Sequence, residues 1–284
     1  MFGDCHIHMI LDGVYYRAAI DHQKNSPDEA LIRSRLRDYA NRGITYLRDG
    51  GDGWGVGLRA SQLAGEYGIT YRTPVSNLCR AGHYGCFIGW GYENLTEYRQ
   101  QVRKIKQMGG HFIKIMVSGL MDFNTFGAIT DTSCSYELCR DLVSVAHDEG
   151  FAVMAHANGH EAVSNALKAG VDSIEHGAYL REETLCRLAE SDAVWVPTLV
   201  TVGNLRGLGR FPDAVLEPLL ELQQRNVAFA AEKGAKIALG TDAGAYAVYH
   251  ADSVQQEYDL LRRCLGEKTD GILHQGESEI RHRF

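Results

Sequence analysis

Short apolar runs recur along the whole chain, each opened by a glycine or a polar turn and closed by a polar residue. They are GDCHIH (3–8), GITYLRD (43–49), GITYRTP (68–74), GHFIKIM (110–116), GFAVMAH (150–156), GVDSIEH (170–176), DAVWVPT (192–198) and GAKIALGTD (234–242). Runs of this length between turn signals read as strands. The segments between them carry apolar positions at helical spacing: Leu31, Ile32, Leu36 and Tyr39 behind Ser26-Pro27, then Leu95, Tyr98, Val102, Ile105 and Met108, then Leu138, Leu142 and Val145. Longer helical patterns cover about 213–233 and 254–265. Most of the glycines that open a run also close a helix, where only glycine takes the left-handed position after the last turn cheaply. Alternating strands and helices predict an α/β fold with parallel strands, and eight repeats predict a closed (β/α)8 TIM barrel over residues 1–266. Residues 267–284 are polar and charged and are expected to form a surface tail.

Two predicted loops, 79–94 and 118–134, exceed the usual connection length, and both follow strands on the face where such barrels carry their sites. The 284 residues, 45% hydrophobic and 23% charged, are an ordinary globular composition. A net charge of −7 argues against a nucleic-acid or anionic-membrane partner, which would select for a basic patch. No apolar stretch is long enough to span a bilayer, and MFGDCHIHM lacks the basic and apolar regions of a signal peptide. The seven cysteines are odd in number and form no CxxC pair, the pattern of reduced thiols in a cytoplasmic protein. Cys5 is expected to point away from its histidine neighbours as a buried apolar residue.

The chemistry lies in the polar residues that close the runs. His6, His8, Lys114, His156, His176 and Asp242 each end a predicted strand, and in a closed barrel those ends meet at one mouth. His6 and His8, two apart on a strand, leave the same face. Imidazoles and a carboxylate suit Zn²⁺ or a similar divalent ion. Lys114 is flanked by Ile113 and Ile115, which face the other side and leave the lysine inward. Burial lowers the lysine pKa from about 10.4, and a neutral amine can add CO₂ to give a carbamate able to bridge two metals. The other reading is a lysine paired with a buried carboxylate. For Asp242 the other reading is a cap in the TDAG turn.

The ordered set HxH, Lys, His, His, Asp resembles the amidohydrolase superfamily of metal-dependent hydrolases. VMAHANGHEAVSNALKAGVDSIEHG (153–177), GHFIKIMVSG (110–119), VPTLVTV (196–202) and LGTDAG (239–244) resemble more narrowly its imidazolonepropionase-like and Xaa-dipeptidase (prolidase-like) branch. The resemblance covers roughly residues 2–266. It implies that His6, His8 and Asp242 bind one metal, that His156 and His176 bind a second, and that carbamylated Lys114 bridges them. It implies a bridging hydroxide as nucleophile, with Asp242 moving the proton to the leaving nitrogen. The superfamily usually carries a β-sandwich on either side of the barrel; this chain shows neither part, so a bare barrel is expected, with exposed surface that leaves room for a homo-oligomer. Asn158 stands where the family's HAHG turn has its second histidine, and no tyrosine follows VPTL, which weakens the case for a dipeptide substrate.

Secondary candidates surround this set. His83 in AGHYG either contacts substrate or faces solvent. Arg48 either binds a substrate carboxylate or pairs with Asp49. Tyr84 is expected at the pocket wall or as a loop anchor, and His250 in a loop near the mouth. The leading expectation is a binuclear hydrolase of an amide-type C–N bond in a small molecule: a dipeptide, N-acyl amino acid, cyclic amide or urea-like compound. A lactone or organophosphate ester hydrolase on the same two metals, a mononuclear deaminase and a non-catalytic metal- or ligand-binding barrel are the alternatives. Deaminases of the superfamily place a glutamate three residues after the histidine that here is His156, and position 159 is glycine.

Overall fold

A computed structural model describes residues 2–284. Among the described residues ten strands, all parallel to their neighbours, are interleaved with helices, except that three strands follow one another directly between residues 70 and 92. The strands are β1 (Asp4–Ile7), β2 (Tyr46–Asp49), β3 (Thr70–Arg72), β4 (Asn77–Arg80), β5 (Trp90–Tyr92), β6 (Ile113–Met116), β7 (Val153–Ala157), β8 (Ser173–His176), β9 (Val194–Val196) and β10 (Lys236–Ile237). Seven of them fall inside predicted runs, and β7 extends one residue beyond its run, to Ala157. The other two, β4 and β5, belong to the excursion after β3.

Two ladders, β1-β2-β3 and β10-β9-β8-β7-β6-β4-β5, join at two seams. At one, Cys5 donates its N–H to the Leu239 carbonyl (2.9 Å), Asp242 to His6 (2.7 Å) and His8 to Ala243 (2.7 Å). At the other, His111 donates to the Thr73 carbonyl beyond β3 (2.9 Å). Together they close the ring of strands, the arrangement of a TIM barrel.

The helices follow local signals. The helix α1 (Tyr16–Gln23) leads into α2 (Glu29–Asn41), which is capped by Asp28 accepting from the Leu31 N–H; the polar Ser26-Pro27 pair lies just before that cap rather than in the first turn. Next come α3 (Val56–Leu63), α4 (Leu95–Gln107) and α5 (Tyr136–Asp148), the last two capped by Asn94 and Ser135. These caps satisfy N–H groups that a helix cannot pair internally. The helix α6 (His160–Ala169) ends on Gly170 at φ +84°, a conformation glycine adopts without a Cβ clash. The remaining helices are α7 (Glu182–Glu190), α8 (Val200–Gly203), α9 (Asp213–Glu232), α10 (Ser253–Leu265) and α11 (Thr269–Arg283). None is long and apolar enough to cross a membrane.

The expected polar tail is a helix. Leu273, Gly276 and Ile280 of α11 are buried, and a Cβ at Gly276 would lie 2.0 Å from the Ile237 carbonyl, so the helix rests directly on β10. Its charged residues flank this buried stripe on both sides and hide the packing from a reading by composition. The Phe284 ring meets Phe112 edge-on at 5.2 Å. Phe284, Phe112, Tyr46, Met154, Val194, Val196 and Ala238 form one buried cluster, which fills the floor of the barrel beneath the site. Cys5 joins this cluster. It is buried as expected but does not point away from His6, because the register of β1 on β2 shifts between Asp4 and Ile7.

The expectation of seven free thiols is also corrected. Cys79 and Cys86 are joined by a disulfide with their Cα atoms 5.9 Å apart, closing the start of loop 79–94, while the other five cysteines are free.

Candidate active site

Alternation sets most of the inward side chains. Just before β6, Phe112 lies in the floor, and Lys114 on β6, two residues on, stands above it; on β7, Met154 and His156 repeat this spacing. On β8 the inward positions by alternation are Ser173 and Glu175, which would send His176 outward. His176 instead has φ +68°, and this left-handed turn brings its ring to 5.1 Å from His6 and 4.7 Å from His156. Asp242 is likewise left-handed, at φ +62°. Non-glycine residues in this region are strained by about 1–3 kcal/mol and persist only where the surroundings hold them.

The six side chains expected as a metal set all line one cavity of about 440 Å³. Asp242 Oδ1 lies 3.5 Å from His6 Nε2 and 3.4 Å from His8 Nε2. The donor atoms of these three residues fall within 4.8 Å of one another. Lys114 Nζ is 3.4 Å from His6 Nε2 and forms no ion pair among the described residues. The carboxylate-paired lysine is therefore not what the structure contains.

Burial dominates the charge states. It pushes His8 and His156 down to about 3, reinforced by the charge of Lys114, and holds His6 and His176 well below the usual imidazole value. It lowers Lys114 to about 8 and raises Asp242 to about 8. At neutral pH the imidazoles are thus unprotonated, the form that binds metal. Four neutral imidazoles and a carboxyl crowded together, with His8 Nδ1 buried and unpartnered, are donors of the right kind for divalent cations. The residues fit a metal centre.

Each ring is held from behind. His176 Nδ1 is 2.7 Å from Thr198 Oγ1, and His156 Nε2 is 3.1 Å from the Gly119 carbonyl. His6 Nδ1 is 2.9 Å from Glu175 Oε2, a close charge contact whose angles are not those of a hydrogen bond. The other oxygen of Glu175 accepts from Ser173 Oγ (2.6 Å) and from Arg48 Nη2 (2.8 Å). Arg48 also donates to Ser173 Oγ and to the Cys5 carbonyl, and its guanidinium lies 4.5 Å over the Phe284 ring. Arg48, Ser173 and Glu175 are fully buried. Arg48 is therefore neither at the mouth nor paired with Asp49; it supports His6 through Glu175. Glu175 was missed in the sequence, because the period-two rule applied backward from an inward His176 marks Ile174 rather than Glu175, and the left-handed backbone at His176 that breaks the alternation leaves no local signal. His8 is backed by Gly50, where a Cβ would stand 2.3 Å from the imidazole Cε1.

The secondary candidates divide. Tyr84 lines the cavity, its ring 4.8 Å from that of His156. His83 does not. Its Nδ1 lies 3.0 Å from Asp131 Oδ1, and Asp131 also accepts the Tyr84 N–H, so the pair ties loop 79–94 to loop 118–134. His250 is turned away from the cavity, between the Tyr39 hydroxyl (3.2 Å) and the Leu11 carbonyl (3.0 Å).

A sequence profile describing the amidohydrolase family matches residues 29–271. This chain belongs to the amidohydrolase family. The match begins after His6 and His8, whose place in the site rests on the geometry above. Ochratoxinase of Aspergillus niger is 26% identical over 276 residues, 84% of this chain and 56% of that protein. An uncharacterised protein of Mycobacterium bovis is 34% identical over 116 residues, 39% of this chain and 31% of that protein. The chain thus spans about half or less of the length of these curated relatives. Among solved structures, an Xaa-Pro dipeptidase with bound methionine superposes with a TM-score of 0.77 at 23% identity, covering 99% of this chain and 75% of the other. Phenylurea hydrolase B superposes with a TM-score of 0.72 at 16% identity, covering all of this chain and 74% of the other. At these identities the superpositions establish the fold.

Proposed function

We propose that this amidohydrolase-family chain cleaves an amide-type C–N bond of a small molecule with the help of two divalent cations, Zn²⁺ being the first choice by donor type. The observation that supports this most directly is the convergence of His6, His8, Lys114, His156, His176 and Asp242 on one cavity, with the imidazoles kept neutral. His6, His8 and Asp242 would hold one cation and His156 and His176 the other. Lys114, whose amine is easily neutralised, would link them as its carbamate. Cations bound there supply an acidified water and polarise the scissile carbonyl. The chain's own residues do the rest. Asp242, beside the centre, would accept a proton and pass it to the leaving nitrogen. Tyr84 walls the reacting centre beside His156. Thr198, Gly119 and Glu175 fix the imidazole orientations, so the donors need no rearrangement.

The deaminase alternative is disfavoured by Lys114 inside the donor cluster and by Gly159. Elemental analysis of the purified protein, with a screen of dipeptides, N-acyl amino acids, cyclic amides, lactones and phosphotriesters, tests the proposal. About two equivalents of metal and turnover confined to C–N substrates are expected. Turnover of lactones or phosphotriesters alone, or a protein that retains no metal, refutes it.

A further inference from the structure

Loop 79–94 reaches the cavity through a short covalent ring. The Cys79–Cys86 disulfide joins residues seven apart in the sequence and encloses Arg80, His83 and Tyr84. Residues 81–89 belong to no helix or strand, and Gly82 (φ +77°) and Gly85 (φ +100°) turn the chain there. Groups inside the ring hold the surroundings together. Tyr84 brings its ring to 4.8 Å from that of His156. Asp131 accepts the Tyr84 N–H at 2.8 Å and lies 3.0 Å from His83 Nδ1, and Arg80 Nη2 donates to the Thr132 carbonyl at 2.6 Å. Asp131 and Thr132 belong to loop 118–134, whose Gly119 carbonyl lies 3.1 Å from His156 Nε2. The ring, the second loop and one ligand imidazole are thus mechanically linked.

The two sulfurs differ in access. Cys79 is fully buried on β4, whereas Cys86 is partly exposed. Thiol–disulfide exchange needs access to one sulfur only, since the other departs as the leaving group. An acceptor also stands ready for each thiol that reduction would release: the Trp90 carbonyl lies 3.5 Å from Cys79 Sγ and the Arg80 carbonyl 3.1 Å from Cys86 Sγ. Opening the bond therefore strands no buried polar group. A disulfide that closes so short a ring constrains the unfolded chain less than a long-range one does, so what it fixes is the loop. We propose that Cys79–Cys86 is a reversible redox-modification site that takes a dithiol reductant at Cys86, and that its state sets how firmly Tyr84 and loop 118–134 are held at the cavity. A thiolate of the reductant attacks Cys86 Sγ to form a mixed disulfide, and the electron pair of the broken bond leaves with Cys79. The second thiol of the reductant then displaces Cys86. The reductant becomes a disulfide, and its two thiol protons end on Cys79 and Cys86. The proposal stands on the loop geometry and is independent of the hydrolase reading.

The test equilibrates the purified protein, without denaturant, in mixtures of reduced and oxidised dithiothreitol. Differential alkylation with mass spectrometry reads the thiols, and amide hydrogen exchange reads the loops. Cys79 and Cys86 are expected to open together in the folded protein and to close again when the oxidised reagent is restored. On opening, exchange over 81–89 and 118–132 should rise by about tenfold or more, with β7 and β8 unchanged. The double variant Cys79→Ser with Cys86→Ser, measured without dithiothreitol, should exchange like the reduced wild type, which separates loop opening from removal of metal by the reagent. A pair that opens only when the protein is unfolded, or that never closes in the folded protein, overturns the proposal. So do equal exchange rates in the two states, acceleration confined to 81–89, or a serine variant that exchanges like the oxidised wild type.

Discussion

Replacing Arg48 with methionine separates support of the site from contact with substrate. Arg48 is fully buried and donates to the Cys5 carbonyl at 2.7 Å, to Ser173 Oγ at 2.9 Å and to Glu175 Oε1 at 2.8 Å. Methionine fills most of the same space against Phe284 but leaves the Glu175 carboxylate buried without a counter-ion. Breaking a buried pair by removing one partner destabilises by about 3–5 kcal/mol, a large share of the roughly 5–15 kcal/mol that holds a typical domain. If the loss comes from the stranded charge, neutralising that charge must restore stability. Arg48→Met with Glu175→Gln should therefore recover at least ~1 kcal/mol relative to Arg48→Met alone. Metal affinity should not recover in parallel, because His6 then lacks its carboxylate, and such supporting groups change metal affinity by about 10–100-fold. Urea unfolding of metal-free protein gives the first quantity and competition with a chromophoric chelator the second. A loss below ~1 kcal/mol in the single variant, or a double variant as unstable as the two single losses added, refutes the argument.

Other outcomes follow from the same geometry. Lys114→Ala should abolish turnover and lower metal content, with partial recovery on adding short-chain carboxylic acids that replace the carbamate; unchanged kcat removes the bridging role. Gly50→Ala places a methyl group against the His8 ring and should cut metal affinity by about 10-fold or more, read by chelator competition; wild-type affinity would show that His8 moves freely. Asp49 is pushed up to about 7 by burial and by the neighbouring charge of Asp52, while its oxygens accept from the Met9 N–H and the Thr73 hydroxyl. A carboxyl raised in the folded state contributes its full stability below the unfolded value near 4 and loses it as pH rises through about 7. Asp49→Asn should accordingly be more stable than wild type at pH 8, by up to ~4 kcal/mol, and match it near pH 4; equal urea midpoints at pH 8 would show that the folded carboxylate is well solvated.

The strand pattern carried most of the fold because apolar runs and glycine stops are local signals. Each of the eight predicted runs holds a strand, with only β7 reaching one residue past its run. What escaped the pattern was set by long-range contact. Residues 267–284 read as a tail because α11 buries one narrow stripe, Leu273, Gly276 and Ile280, among many charges. Cys79 and Cys86 give no local hint of pairing; the turn between β4 and β5 brings them together. Arg48, near the end of an apolar run, read either as a substrate contact or as a partner of Asp49, yet β2 continues through Asp49 and leaves it beneath the donors, paired with Glu175.

The same comparison shows how the site combines two kinds of instruction. Lys114 and His156 follow from alternation, and so does Glu175, one residue before the histidine that drew attention. His176 and Asp242 do not follow from it, since their inward position depends on left-handed backbone that no pattern of apolar residues encodes. On β8 this places two adjacent residues, Glu175 and His176, inside the barrel. One is an imidazole for the centre and the other a carboxylate that orients His6 from the neighbouring side. The left-handed turn thus lets a single strand end supply both a donor and the support for a donor on another strand. The strain it carries is offset by the hydrogen bonds that hold His176 at Thr198 and Glu175 at Arg48. Loss of either hold should relax β8 toward ordinary alternation and turn His176 out of the cavity, which the chemical shift of its ring would report.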